Sequence, residues 1–363
     1  MTTWLVADSV WWDGRLRTDV ALRLSEGVAT PAPVGRRGAG VATPAKAGPR
    51  GAGVATPVPI AEIPRGSAPR RLPGTLLPGL CDAHVHSALV DLATVRAGGI
   101  ASVWDLGGVP DKVRDLAERA RRPGSDLPHV RLAGPFLTAP GGYPSDRPWA
   151  PAGSCRAVWS AVDAGDAVAE ARASGATLIK VTLHAGGPML PAPTLRAVVD
   201  AARSAGLPVV VHAEGSGTVE AAYDAGTDML AHTPWTSLLD DALIRSAAER
   251  MIWISTLDIH GWGRPTPAQG TAIGNLRRFL EYGGSVRYGT DLGNGPLPPA
   301  LNPREIRALQ AAGLAPDRVL AAMTDPVAPP SWIAGGLDLD PGRFADVLAT
   351  ARVVGPELRP RGE

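Results

Sequence analysis

At 363 residues the chain exceeds one small domain, and either two domains or one large α/β barrel with a minor appendage accommodates it. It is 45% hydrophobic and 20% charged, with 36 Lys and Arg against 35 Asp and Glu, an ordinary soluble composition whose scattered basic residues point to neither a nucleic-acid nor a membrane partner. No apolar run reaches the roughly eighteen residues of a membrane span, and the opening MTTWLVADSVWWDG lacks the basic-then-apolar order of an export signal, so a cytoplasmic protein is the default expectation.

Residues 4–24 alternate short β-like segments around the turn signal WWDG and predict a small antiparallel sheet. Between 27 and 65 the chain is dominated by Gly, Ala, Pro, Val and Arg. It holds three copies of a 13-residue unit, GVATPAPVGRRGA, GVATPAKAGPRGA and GVATPVPIAEIPR, starting at Gly27, Gly40 and Gly53. With only Val and Ala between Pro and Gly, the unit has no apolar face to stack, so the segment reads as a disordered or loosely ordered insertion. Extended binding to a partner is the alternative.

After LLPGL at 76–80, short apolar runs alternate with Ala-, Arg- and Glu-rich helical stretches. The strand candidates are LCDAHVH, IASVWDL, HVRLAGPFLT, ATLIKVT, PVVVHAE, DMLAHT, MIWISTLD and SVRYGTD, the last seven each followed by a helical pattern. Eight such units are the arithmetic of a (β/α)8 TIM barrel. A doubly wound sheet would carry a Gly-rich phosphate loop after its first strand, and this chain has none. From about 334, AGGLDLDPGRFADVLATARVV returns to short strands and turns. The expected fold is therefore α/β: a barrel over 76–333 and a small composite β-sandwich domain formed from both chain ends, 1–75 and 334–363.

Cys81 and Cys155 are too few for a disulfide framework and lack the spacing of a structural zinc site, so both read as small buried or half-buried residues. Lys180 is unusual. It sits inside the β-branched run ATLIKVT, where a buried ammonium needs a partner or a chemical modification. The seven histidines are informative too. His84 and His86 lie two apart on the first strand and so share a face. His212 falls late in the fifth strand, His232 ends the sixth, and Asp291 closes the eighth. Singly, each has a structural explanation, as a hydrogen-bonded core histidine or a turn aspartate. Together they place ligand-type side chains where barrel active sites lie, at the C-terminal strand ends, and predict a metal centre.

The segments PGLCDAHVHS, LIKVTLHAGG, VVHAEG, LAHT and YGTD, in this order, resemble the metal-dependent amidohydrolase superfamily, and within it the imidazolonepropionase-like and prolidase-like amidohydrolases. The resemblance covers about 76–350, and the tail GRFADVLA is similar to the strand that ends these enzymes in a composite β domain. It implies that His84, His86 and Asp291 hold one divalent metal, that His212 and His232 hold a second, and that Lys180 bridges them as a carbamate formed with CO2. Zinc suits such a ligand set, with manganese, iron and cobalt also compatible. The implied reaction is hydrolysis of a C–N bond in an amide, cyclic amide or dipeptide-like small molecule by a metal-bridging hydroxide, with Asp291 passing the proton to the leaving nitrogen. The alternatives are a lactonase or carboxylesterase on the same centre, a mononuclear deaminase-like enzyme, and a silent scaffold whose working part is the Pro/Gly insertion. Self-association is left open.

Tyr143, His184, Glu214 and His260 are secondary candidates for substrate contact. Tyr143 stands where prolidase-like relatives often carry a histidine. His129, at the start of the third strand, is at the opposite end and reads as structural. The strand-to-helix loops carry Trp149, Trp235 and Trp262, an apolar lining or ordinary loop packing.

Overall fold

The computed structural model describes residues 2–27 and 51–355. Both chain ends build one seven-stranded sheet. Its centre is Thr3–Trp12, parallel to Arg70–Leu77 on one side and antiparallel to Val20–Gly27 on the other. Gly51–Pro59 extends the second side, and Ser331–Ile333 with Arg352–Val353 extends the first. The hairpin from Thr3–Trp12 into Arg15–Arg17 turns on Asp13 and Gly14 at φ of 50° and 72°, the left-handed pair that a two-residue turn between twisted strands needs. Leu5, Val10, Trp12, Leu22, Leu72 and Leu76 give the sheet a core of its own, while Trp11 packs into the larger cluster of the remaining chain.

The strands from both chain ends are joined in one hydrogen-bonded sheet. Two features depart from the sequence reading. The third repeat copy is partly ordered, because Gly51–Pro59 is an edge strand paired with Val20–Gly27. Pro57 and Pro59 have no N–H for a ladder, and an edge strand, bonded on one side only, tolerates them. Residues 28–50, with nearly all of the first two copies, lie outside the described residues. Finally, the tail GRFADVLA is not a strand but most of the helix Pro341–Leu348. Asp340 caps it by accepting from the N–H of Gly342 at 3.1 Å, Pro341 opens the first turn, and Phe344, Ala345 and Leu348 bury one face in the large cluster.

All eight strand segments predicted for 79–291 contain a parallel strand, and these lie in two sheets. Gly79–Val85, Ser102–Asp105 and His129–Leu132 form one, with Thr324–Asp325 antiparallel at its edge. The other runs Cys155–Ala157, Phe136–Thr138, Ile179–His184, Val209–Glu214, Met229–Leu230, Ile252–Ile254 and Ser285–Arg287. Backbone hydrogen bonds join the sheets at both seams. At one, the chain passes from His129–Leu132 into Phe136–Thr138 through Gly134, and Thr177 donates to the carbonyl of Leu132 at 2.9 Å. At the other, Ala83 donates to Tyr288 (3.0 Å), His86 to Leu292 (2.8 Å) and Leu292 to His84 (3.2 Å). Cys81, Ala83, Trp104, Leu178, Val210, Met229 and Ile254, from strands of both sheets and the segment before the fourth strand, pack in one buried cluster, so the sheets share an interior. Trp104 there lies between the guanidinium groups of Arg131 (4.6 Å) and Arg287 (4.9 Å). Cys81 is buried and Cys155 half-buried, as expected, and His129 opens the third strand opposite Ser102. No helix among the described residues is long and apolar enough to cross a membrane.

Candidate active site

His84, His86, His212, His232 and Asp291 lie toward or just beyond the C-terminal ends of the parallel strands, while Lys180 is near the start of Ile179–His184. His84 lies within a register irregularity between Asp82 and Val85, the kind of local kink that re-aims side chains beside active sites. Asp82 is buried, and burial pushes its carboxyl up to about 7. It accepts from the N–H of His84 (3.0 Å) and from the N–H (3.0 Å) and hydroxyl (2.5 Å) of Thr290, tying the first strand to the segment that carries Asp291. Asp291 itself has φ of +59°, a left-handed conformation that costs a non-glycine residue on the order of 1–2 kcal/mol. Such cost is borne where geometry is functional. Asn294 donates to its Oδ2 at 2.9 Å, and its Oδ1 lies 3.1 Å from Nε2 of both His84 and His86.

The protons on these imidazoles follow from their other contacts. Nδ1 of His84 is 2.8 Å from the carbonyl of Ala231, and Nδ1 of His86 is 3.2 Å from that of Gly107. A carbonyl only accepts, so both Nδ1 atoms carry the proton. Burial holds His84 well below the ordinary histidine value, so its Nε2 is a bare lone pair, and this atom is buried without a hydrogen-bond partner. The same cluster holds the Asp291 carboxyl ionised, although burial alone would raise it. Lone pairs of Nε2 and Oδ1 therefore face one another at 3.1 Å. A divalent ion between them would satisfy both lone pairs, and the tethered Nδ1–H groups are the outer support that metal-binding histidines have. The residues fit a divalent metal.

His232 belongs to the same group: one ligand atom each from His84, His232 and Asp291 falls within 4.8 Å of the others. Its Nδ1 is 2.9 Å from the Thr256 hydroxyl, and Thr256 is itself left-handed at φ 44°. Lys180 is fully buried, and burial brings its ammonium down to about 7, against the pull of Asp291 and Asp105. Asp105 is occupied elsewhere, accepting from the N–H and hydroxyl of Ser87 and the N–H of Gly107.

A second group lies on the neighbouring strands. In the parallel ladder Lys180 faces Val210, Thr182 faces His212, and His184 faces Glu214. Alternation puts Lys180, Thr182 and His184 on one side of their strand, with His212 and Glu214 matching them on the next. Oε2 of Glu214 is 3.0 Å from Nε2 of His212 and 3.2 Å from Nδ1 of His184. His232 thus lies within reach of His84 and Asp291, His212 of His184 and Glu214, and the rings of His212 and His232 are 4.9 Å apart, so the two groups adjoin.

Aromatic rings wall both groups. Tyr143 stacks on His212 (4.8 Å between centroids) and lies 5.2 Å from His184 and 6.1 Å from Trp149. Trp235 contacts His212 (5.9 Å) and His232 (5.3 Å) and stacks on His260 (4.8 Å). All four secondary candidates are therefore here, with His260 reaching the ligands through Trp235. Trp149 and Trp262 are exposed loop residues. Sequence reasoning missed Asn294, Thr256, Asp82 and Asp105, which hold the ligands in place. Of these, Asn294 alone left a signal, three residues after Asp291 in the turn-rich DLGNG.

No family model matches the sequence, and no curated protein matches it. Solved structures do match its fold over nearly the whole length. Ochratoxinase from A. niger superposes with a TM-score of 0.72 at 17% identity, covering 100% of this chain and 98% of that one. A Xaa-Pro dipeptidase with methionine bound in its active site gives 0.69 at 16% identity over 97% of each chain. An amidohydrolase gives 0.69 at 18% identity, covering 96% of this chain and 95% of the other.

Proposed function

We propose that this chain, which has the fold of solved amidohydrolase and prolidase-like structures, is a metal-dependent amidohydrolase whose two joined parallel sheets form one (β/α)8 barrel. It acts on a C–N bond of an amide, cyclic amide or dipeptide-like small molecule. The observation that carries this reading is the contact of Asp291 Oδ1 with two imidazole nitrogens at 3.1 Å, when Nδ1 of each ring is already committed to a carbonyl.

His84, His86 and Asp291 would hold one divalent ion, and His212 and His232 would help hold a second. When bound, such ions polarise a carbonyl and lower the pKa of water from about 15.7 to about 7. The remaining work falls to the chain. Lys180 is buried and close to losing its proton at neutral pH, and the free amine is the form that adds CO2. As a carbamate it would become an anionic oxygen ligand, which removes the cost of burying a cation. Asp291 accepts the proton of the attacking water and returns it to the leaving nitrogen. Asn294 holds Oδ2 of that carboxylate, and the left-handed backbone fixes its direction. Tyr143 and Trp235 exclude water from either side of His212.

The test is turnover by metal-loaded protein of a panel of N-acyl amino acids, Xaa-Pro dipeptides, cyclic imides and lactones. Cleavage of members of the first three sets, lost on chelation, is expected. Activity confined to lactones sinks the C–N assignment.

A further inference from the structure

We infer that the interior toward the N-terminal ends of the parallel strands, away from His84 and Asp291, binds a small monovalent anion held by the guanidinium groups of Arg131 and Arg287 and the indole N–H of Trp104. This site is separate from the proposed hydrolytic centre and needs no metal.

The strand ladder turns these side chains inward. Ser102 pairs with His129 and Trp104 with Arg131, so the four share one side of their strands. Cys81, opposite Ser102 on the first strand, and Trp104 both belong to the buried cluster between the sheets, which makes that side the interior. Arg287 stands opposite Ile254, a member of the same cluster. It donates to the carbonyl of Thr324 at 3.3 Å, and Thr324 pairs with Leu80 at the start of the strand that later carries His84. Interiors of this kind are ordinarily filled by Val, Ile and Leu, and two arginines inside one require a counter-charge.

The protein supplies too little of it. The guanidinium carbons of Arg131 and Arg287 lie 4.6 and 4.9 Å from the centre of the Trp104 ring, so both cations crowd one indole. Cation–π attraction offsets part of their desolvation, but an indole carries no net charge. Among the described residues neither guanidinium has a carboxylate oxygen within 4.0 Å. Asp325 is the carboxylate whose charge acts on Arg131, yet its oxygens accept from the Ser102 hydroxyl (2.8 Å) and the N–H of Val327 (3.2 Å). Burial pushes the Cys81 thiol up to about 12 and holds His129 below the ordinary histidine value, so neither is charged at pH 7. Two fixed positive charges stand against one negative.

The hydrogen-bond donors agree with the charge. Nε of Arg131, Nε of Arg287 and Nε1 of Trp104 are each buried and make no hydrogen bond to the protein. All three can only donate, so what they lack is an acceptor. Water would accept from them and leave the charge uncompensated, whereas one monovalent anion does both. With Arg131 8% and Asp325 9% exposed, the site is nearly closed, which suits a halide-sized ion better than a large one.

The experiment reads a melting temperature and an anomalous map. Full-length protein is melted at constant ionic strength while gluconate, a large anion, is replaced by chloride or bromide, and crystals soaked in bromide are measured at the bromine absorption edge. The melting temperature is expected to rise with the logarithm of halide concentration, and a bromide peak is expected in contact with Arg131 and Nε1 of Trp104. Trp104→Phe, which keeps a ring and removes the N–H, is expected to weaken the apparent halide affinity about tenfold or more. Arg131→Met is expected to abolish the response. A melting temperature indifferent to halide, with no bromide peak at this end of the strands, overturns the site. A halide shift that both variants keep also overturns it, because the ion then sits elsewhere. Should either variant fail to fold, the bromide map of the wild type decides alone.

Discussion

Asn294 donates its side-chain amide to Oδ2 of Asp291 at 2.9 Å, on the side of the carboxylate opposite the two imidazoles. One oxygen of Asp291 thus faces the two imidazoles and the other is held by a neutral donor, so in the proposed reaction the carboxylate could exchange a proton without swinging away from His84 and His86. Asp291→Asn should retain part of the metal and lose turnover by about 10²- to 10⁴-fold. Asn294→Ala should lower kcat by about 10- to 100-fold, the usual range for loss of an outer support. Metal content and steady-state kinetics of the two variants check this, and an Asp291→Asn enzyme with wild-type kcat contradicts the proton role.

If Lys180 carries the proposed carbamate, Lys180→Ala should lose activity and metal together, because it would remove an anionic ligand rather than a substrate contact. Added acetate or propionate should restore part of both by occupying the vacated space. Mass spectrometry of the wild type without acid should show the added mass of CO2 on Lys180 when metal is present. A bare amine in fully metal-loaded protein contradicts the bridging role.

If the proposed metal centre exists, removing metal should destabilise the fold, since its ligands come together only in the folded arrangement of strands. Restoring a divalent ion at about 100 times its dissociation constant should return about 2.7 kcal/mol. Thermal denaturation with and without chelator measures it. A melting temperature indifferent to chelator and to added zinc argues against a metal centre.

Glu305 gives the pH dependence a definite sign. It is buried, accepts from the N–H groups of Leu257 (3.0 Å) and Asp258 (2.7 Å), and so anchors the loop that carries His260. Burial raises its carboxyl from 4.5 to about 7. Between those values the folded chain keeps a proton that the unfolded chain has released, so this group's contribution to stability falls as pH rises through the window and levels off above about 7. The full swing is about 3 kcal/mol. Glu305→Gln should carry a constant offset and lose that slope, seen as a difference between wild-type and variant melting temperatures that changes from pH 5 to pH 8. A constant difference contradicts the assignment.

How much of this was legible in the sequence depended on the range of the cause. His84, His86, His212, His232 and Asp291 could be placed because strand ends and period-2 alternation are local properties, and the eight strand segments followed from the same rhythm. The grouping of His212 with His184 and Glu214 was not, because it depends on the register between two strands 30 residues apart. The helix Pro341–Leu348 did leave a local signal, Asp340 before Pro341, which the short-strand reading of the tail passed over. Gly51–Pro59 could not be foreseen from its composition. Pro and Gly argue against a strand unless the strand lies at an edge, and edge position is a property of the finished sheet.

Gly27 and Gly51 are partners in the ladder, so the chain leaves the sheet and re-enters it at adjacent points whatever path residues 28–50 take. For a flexible connection between two fixed points, each doubling of length costs only about 0.6 kcal/mol. Removing thirteen residues from within 28–50 should therefore leave both ladder partners and the candidate ligands in place. A chain shortened by one unit should bind metal and melt as the parent does, and a shift of several degrees would show that the repeat is tied to the rest of the protein after all.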